Sequence, residues 1–177
     1  MTPLIQLHEH GRRARRATAP STAAHPGLLD LWPRGCPDAS HPLMEHKIVA
    51  HFLSGRLVKG SSTSIALDRP TCHVMTQDHR AVLVPLSELK ALFFVKDLEG
   101  DRAHRDHQVI GSSDPRATGA KRLKITFRDG EQLVALAPTY ERTRQLFYVL
   151  PADPSSNNIR ILVNRKAVAA VEILPPA

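Results

Sequence analysis

Short apolar runs recur along the chain, and two of them carry apolar residues at the same spacing. The first run covers residues 82–95 and the second covers residues 161–173. The matching positions, each 79 residues apart (168 − 89, 171 − 92 and 173 − 94), are Leu89 and Val168, Leu92 and Val171, and Phe94 and Ile173. A pattern that returns at a constant offset is typical of a duplicated structural unit. The chain is therefore predicted to be a tandem repeat.

Two hairpins support this prediction. Apolar residues alternate over residues 47–53, and Gly55 follows in a turn. A second hairpin covers residues 123–134 and turns at Asp129-Gly130, a dipeptide favoured in hairpin turns. The two turn glycines are 75 positions apart (130 − 55), so the second copy gains four residues before its last strands. The insertion falls in residues 151–158, which consist mainly of turn-forming residue types.

Each copy is predicted to contain five short strands, with one helical turn between the fourth and fifth. Five short, bent strands are typical of an SH3-like or Sm-like barrel, which closes because an open sheet exposes its edges. The predicted fold class is thus all-β, with two tandem five-stranded small barrels. The first barrel is placed at residues 44–96 and the second at residues 121–177. Residues 97–120, rich in Gly, Ser, Asp and His, are interpreted as a mobile linker.

The first 43 residues differ from the rest in composition. They hold six of the 14 prolines, and Pro and Gly interrupt every short apolar stretch. Residues 1–43 are therefore interpreted as a disordered tail. Met44 stands directly before the first periodic strand, so translation is alternatively expected to start there.

Charge, cysteine content and hydropathy narrow the functional classes. The net charge of +7 suits nucleic acid or an acidic protein as a partner, although charge alone does not determine specificity. Cys36 and Cys72 lack the spacing of a disulfide framework or a zinc site. No apolar run approaches the roughly 18 residues that a membrane span requires. We expect a cytoplasmic protein that does not enter the membrane.

Two sets of polar residues are candidates for a binding site. The second copy carries basic residues that could contact a polyanion: Lys121, Arg122, Lys124, Arg128, Arg142 and Arg144. The inserted loop carries hydroxyl, amide and carboxylate groups that could face a partner: Asp153, Ser155, Ser156, Asn157 and Asn158. The same loop residues also suit a turn in which Asp and Asn bond to their own backbone. Both interpretations of the loop remain open, and the turn is favoured.

Motifs for catalysis or metal binding are not evident. The sequence has no Gly-x-Ser-x-Gly, no phosphate loop ending in Gly-Lys-Ser or Gly-Lys-Thr, and no His-Glu-x-x-His. His104 and His107 are spaced as a pair of zinc ligands, but no third ligand is evident near them. We predict a protein that is not an enzyme and that has no metal site and no cofactor.

Three segments carry a resemblance to a known family. The string Gly55–Gly60 and residues 89–100 and 151–158 resemble those of an uncharacterised bacterial family, and the likeness spans residues 47–174. The strand order also resembles, more weakly, that of Sm-like proteins, although Ala135 replaces the second glycine in the second copy. The resemblance implies tandem small barrels and no particular activity. We predict a non-enzymatic binding or adaptor module with a protein partner, and RNA binding through the basic residues is the alternative.

Overall fold

The computed structural model describes residues 45–100 and 103–175, which form an all-β fold. The ten strands are β1 (His46–Phe52), β2 (Leu57–Ser62), β3 (Thr71–Thr76), β4 (Ala81–Pro85), β5 (Leu89–Val95), β6 (Lys121–Phe127), β7 (Gln132–Ala137), β8 (Leu146–Pro151), β9 (Asn158–Asn164) and β10 (Val168–Leu174). Single turns of 3₁₀ helix lie at Leu86–Glu88, Pro115–Ala117 and Arg165–Ala167. Within these residues no helix is long and apolar enough to cross a membrane. The predicted disordered tail, residues 1–43, lies outside the described part of the chain.

All ten strands belong to one antiparallel sheet, in the order β10-β6-β7-β8-β9-β5-β1-β2-β3-β4. The two expected closed barrels are not observed, because the sheet is open and ends at β10 and β4. A closed first barrel would need β5 to pair with β4. Instead, β5 pairs with β1 along one side and with β9 along the other. We call this β5–β9 ladder the junction, because it joins the N-terminal half (β1–β5) to the C-terminal half (β6–β10).

The two halves have the same strand order. The N-terminal half reads β5-β1-β2-β3-β4, and the C-terminal half reads β10-β6-β7-β8-β9. Strands β1 to β3 return 75 residues later as β6 to β8 (121 − 46, 132 − 57, 146 − 71), and β5 returns 79 residues later as β10 (168 − 89). Gly55 and Gly130 turn the corresponding hairpins at φ of 84° and 87°, a conformation that glycine adopts without a steric penalty.

Each half surrounds its own apolar core, and the junction connects the two cores. Ile48, Val74 and Phe94 belong to the core of the N-terminal half, and that core also contains Leu162 from β9. The core of the C-terminal half contains Ala91 from β5 in return. Each core therefore includes a buried residue from the other half, and Phe93, Leu146 and Tyr148 also pack across the junction.

The repeat pattern predicts equal burial for Phe94 and Ile173, and this prediction is wrong. Phe94 is 1% exposed, whereas Ile173 is 45% exposed. Strand β9 lies beside Phe94, but no strand in the described part of the chain pairs with the outer side of β10.

The segment interpreted as a mobile linker is attached to the C-terminal half over residues 103–120. Ile110 packs with Val134 and other apolar residues in a small third core. Gln108 Oε1 accepts a hydrogen bond of 2.7 Å from the backbone N–H of Val134. Arg116 donates to the carbonyl oxygens of Pro151 (3.2 Å) and Ala152 (2.9 Å). This segment still connects the two halves, but it also covers the outer face of β7 and β8.

Candidate functional site

The candidate loop, residues 153–158, leads directly into β9 and so lies at one end of the junction. The backbone N–H of Lys96 donates to the carbonyl of Asn157 at 2.9 Å, directly beyond the last paired residues of β5 and β9. The side chain of Asn157 continues this pairing, because its Oδ1 accepts from Asp97 N (3.0 Å) and its Nδ2 donates to Asp97 O (2.8 Å). The loop is thereby fixed against the N-terminal half.

Asp153 organises the interior of the loop. Its side chain is only 2% exposed. Its Oδ1 accepts from the backbone N–H (2.8 Å) and the hydroxyl (2.6 Å) of Ser155, and its Oδ2 accepts from the backbone N–H of His107 (3.3 Å). The hydrogen bond from the Ser155 hydroxyl holds the pKa of Asp153 well below its usual range, although burial acts in the opposite direction. Asp153 is therefore a charged, hydrogen-bonded centre of the loop.

Ser156 ties the loop to the segment that follows the junction. It is fully buried, and its Oγ donates to Asp106 Oδ2 at 2.7 Å. The same oxygen accepts from the backbone N–H of Asn158 at 3.0 Å. The bonds from Asp and Ser side chains to neighbouring backbone are those of a turn, as the composition of the loop indicates. The bonds to Asp97, Asp106 and His107 cross to other segments.

A histidine–aspartate cluster lies against the loop. His104 Nε2 is 3.1 Å from Asp106 Oδ1 and 3.0 Å from Asp153 Oδ2, and His107 Nε2 is 3.4 Å from Asp153 Oδ1. The sequence makes no third ligand evident near these histidines, but the fold brings Asp153 across from a distant part of the sequence. Ligand atoms of His104, Asp106 and Asp153 lie within 4.8 Å of one another and could hold a divalent cation. The same atoms also satisfy one another as hydrogen-bond partners.

An open cleft of about 690 Å³ lies between the loop, the cluster and the end of β5. We call it the junction cleft. It presents both signs of charge together with amide and hydroxyl groups. Its lining consists of Lys96, Asp97, Glu99, Gly100, His104, Arg105, Asp106, Ser155, Ser156, Asn157 and Asn158. Four of the five candidate loop residues are among them, and Asp153 supports this wall from within.

The six candidate basic residues do not share one face. Side chains alternate across a strand, so Arg122 and Lys124 lie on one face of β6 and Lys121 lies on the other. Arg122 donates to the carbonyl of Ile110, and Lys124 is paired across the sheet with Glu172. Arg128 lies at the hairpin end, where its Nε donates to the carbonyl of Lys166 at 2.8 Å.

A smaller basic group surrounds Tyr140. Lys121 Nζ lies 5.8 Å from the centre of its ring, and the guanidinium of Arg165 lies 5.4 Å from it. Arg165 also donates to the carbonyl of Arg144, in the turn that contains Arg142. Arg144 forms an ion pair with Glu141. The structure thus places Lys121 and Arg165 at the Tyr140 ring, next to the turn that carries Arg142 and Arg144.

Sequence reasoning missed three buried polar residues of the junction. Lys90 forms ion pairs with Asp129 and Glu131, and its Nζ lies 4.6 Å from the centre of the Phe127 ring. Burial lowers the pKa of Lys90, but the hydrogen bonds to Asp129 and Glu131 outweigh burial and raise it overall.

The other two are Arg160 and Asn164 of β9. The Arg160 guanidinium lies 4.1 Å from the centre of the Phe94 ring. Asn164 Nδ2 donates to the carbonyls of Ser87 (3.2 Å) and Leu89 (2.8 Å). The available signal was a charged residue between apolar residues for Lys90 and Arg160, and an amide at the end of an apolar run for Asn164.

Comparison with known proteins yields one family. Residues 44–175 match the model of a family described as a family of unknown function (DUF6982). The matched residues include all ten strands. No curated protein matches the chain.

Proposed function

Because the chain belongs to the DUF6982 family, whose description assigns no activity, we propose a function from the geometry of the molecule itself. In this proposal the protein is a non-enzymatic binding or adaptor module, and the junction cleft receives a polar segment of a protein partner. It acts without a cofactor.

The observation that supports this proposal is the way in which the cleft wall is held. Asp153, Ser156 and Asn157 use their side chains to bond to the loop backbone and to the segments on either side. A loop that is already ordered loses little conformational entropy when a ligand binds. Preorganisation of this kind is common in binding sites on rigid scaffolds.

The composition of the cleft favours a polar peptide over a base or a sugar-phosphate backbone. Lys96 and Arg105 line the same cleft as Asp97, Glu99 and Asp106, so its described lining carries both signs of charge. Among the described residues no Phe, Tyr or Trp lines the cleft, and the imidazole of His104 is held by Asp106 and Asp153. A peptide with both charges and free backbone groups complements such a surface.

The wider architecture belongs to the same proposal. We regard the two halves as tandem copies of one unit related to SH3-like and Sm-like small barrels, in a cytoplasmic bacterial protein. The equal strand order and the constant offsets of 75 and 79 residues support duplication (121 − 46, 168 − 89). The four-residue insertion then gives only the second copy the loop that forms the cleft.

Capture from native lysate with two charge-reversal variants tests the proposal. Arg105→Glu changes the cleft, and Arg69→Glu makes the same change at an exposed position in the β2–β3 connection. We expect a partner that survives nuclease treatment, is retained by Arg69→Glu and is lost from Arg105→Glu. Equal retention by both variants would contradict the role of the cleft.

RNA binding is the second candidate, and the basic group around Tyr140 favours it. Under this hypothesis, phosphates lie along one side of the C-terminal half and are contacted by Lys121, Arg142, Arg144 and Arg165. Each phosphate neutralised on a single strand contributes about 0.7 to the slope of log affinity against log salt. Specific binding requires in addition a sequence preference that persists near physiological salt.

Titration of two labelled RNAs of different sequence at two salt concentrations separates these outcomes. Lys121→Gln is the test variant, and Lys59→Gln on β2 is its control. A sequence preference that Lys121→Gln removes and Lys59→Gln retains would support RNA recognition. Equal, steeply salt-dependent affinities for both RNAs would favour the adaptor function.

A further inference from the structure

We propose that the two free edges of the sheet, β4 and β10, pair with each other between chains, so that the protein assembles head to tail with further copies of itself. The partner is a second copy of this chain, and the contact repeats the internal junction. This inference does not depend on what the junction cleft binds.

The junction supplies the template for this contact. Strand β9 is the fourth strand of the C-terminal half, and β5 is the fifth strand of the N-terminal half. Within the described residues, the strands with one unpaired side are the fourth strand of the N-terminal half, β4, and the fifth strand of the C-terminal half, β10. The chain therefore exposes one example of each surface that it already joins internally.

At equivalent positions, the side chains in the junction are buried and those on the free edges are exposed. The fourth strands end at Pro85 and Asn164, also 79 positions apart (164 − 85), so Leu83 is equivalent to Leu162. Leu162 is 2% exposed, whereas Leu83 is 53% exposed. On the fifth strands, Phe94 is 1% exposed and the equivalent Ile173 is 45% exposed. Apolar side chains on an unpaired strand edge are a ready site for another strand.

The repeat also predicts the register of the contact. In the junction, Ala91, Leu92 and Phe94 are opposite Val163, Leu162 and Arg160. Adding 79 to the residue numbers of β5 gives β10 (168 − 89), and subtracting 79 from those of β9 gives β4. This transfers the register of the junction to the free edges. The expected pairs between chains are Ala170 with Val84, Val171 with Leu83, Glu172 with Val82, and Ile173 with Ala81.

The contact between chains lacks the polar interactions of the junction. The equivalents of Lys90, Arg160 and Asn164 are Ala169, Ala81 and Pro85, respectively. None of these can form the ion pairs, the cation–π contact or the amide hydrogen bonds that the junction contains. We therefore expect reversible, concentration-dependent assembly rather than a permanent oligomer.

Because the two edges are different surfaces, β4 of one chain pairs with β10 of the next chain. A heterologous contact of this kind produces a ring if its rotation closes and a filament if it does not. In both cases, blocking either edge in every chain must stop assembly.

Sedimentation of the full-length protein over a range of concentrations tests the proposal. The average mass of the wild type should rise with concentration. Leu83→Lys and Ile173→Lys, each studied alone, should remain monomeric, because either edge is then blocked in all chains. Leu57→Lys is the matched control, because Leu57 is also 53% exposed but lies opposite His51 on the inner strand β2 rather than on β4 or β10.

A mixture of the two edge variants is the decisive sample. Leu83→Lys retains an intact β10, and Ile173→Lys retains an intact β4, so the mixture should form a one-to-one complex and nothing larger. A misfolded variant could not restore this complex. A monomeric wild type at every concentration, assembly by either edge variant alone, or a mixture that stays monomeric would each overturn the proposal.

Discussion

At the scale of single residues, two side chains at equivalent positions of the repeat can contribute very different amounts to the stability of the fold. Phe94 and Ile173 occupy equivalent positions, but only Phe94 has a neighbouring strand on both sides of its own. His46 and Tyr148 lie with their rings 5.4 and 6.0 Å from the Phe94 ring. Burial, rather than the repeat itself, determines how much each side chain stabilises the fold.

Truncating Phe94 should therefore be far more costly than truncating its equivalent. Phe94→Ala removes a buried ring and leaves a cavity, which should lower the free energy of unfolding by about 3–5 kcal/mol. Ile173→Ala should have a much smaller effect, because half of that side chain is already exposed to water. Urea denaturation of dilute protein measures both, and equal losses would mean that β10 is covered in solution.

Gly60 is a second position where a small change should have a large effect. A Cβ atom at Gly60 would lie 2.1 Å from the carbonyl oxygen of Met75 on β3. Gly60→Ala should therefore displace β3 and cost about 1–3 kcal/mol of stability. Gly111→Ala is the control, because nothing lies within 4 Å of a Cβ there. Equal unfolding midpoints for the two variants would contradict the close approach of β2 and β3.

The lowered pKa of Asp153 predicts a pH-dependent contribution to stability. The pKa of an aspartate in the unfolded chain is about 3.9, so the unfolded chain binds its proton first as pH falls. The carboxylate thus contributes stability that is complete above that value and is lost as pH falls through the lower folded pKa. Asp153→Asn should destabilise the protein at neutral pH, and the difference from wild type should narrow in acid. Asp68→Asn, at an exposed position, is the control. The urea midpoints of the wild type and both variants, measured from neutral to acid pH, test this expectation.

At the scale of strands, local pattern predicts the elements well. The predicted start at residue 47 is one residue from the observed start of β1, and both predicted helical turns occur between the fourth and fifth strands. Alternation and turn glycines are local signals, which is why they locate strands and hairpins. The insertion at residues 151–158 was also visible, because it changes the offset between the copies.

The pairing of β5 was not predictable in the same way. The second edge of β5 could pair with β4, which would close the barrel, or with a strand of the other half. The alternation of apolar residues along β5 is the same in either case. The decisive contacts come from Lys90, Arg160 and Asn164, whose partners are distant in sequence. For the same reason, the sequence did not reveal that Asp153 lies beside His104.

Asn164 offers a direct test of the junction. Its Nδ2 donates to carbonyl groups of the N-terminal half, including the buried carbonyl of Leu89, and its Oδ1 accepts from Gln145 and from the backbone N–H of Lys166. Asn164→Ala removes all of these hydrogen bonds. We expect a loss of about 1–3 kcal/mol in the free energy of unfolding. Asn158→Ala is the control, because Asn158 lies on the same strand outside this contact. Denaturation curves that are the same for both variants would mean that Asn164 does not hold the halves together.

At the scale of the whole molecule, the junction determines both proposed surfaces. The junction cleft lies at one end of the β5–β9 ladder, and the free edges β4 and β10 are the two surfaces that the ladder leaves unused. The candidate basic residues Lys121, Arg122 and Arg128 lie at separate places rather than on one face. Charge counted along the sequence therefore could not identify a nucleic-acid surface.

Hydrogen exchange of dilute full-length protein tests the junction most directly. Residues 91–94 of β5 are paired with β1 on one side and with β9 on the other, whereas within the described residues β10 is paired only with β6. Backbone amides that are hydrogen-bonded within a sheet exchange slowly, and those that face solvent exchange quickly. We predict that the amides of β5 exchange much more slowly than those of β10 that point away from β6. Exchange in β5 as fast as in β10 would show that β9 does not pair with β5 and would contradict the single ten-stranded sheet.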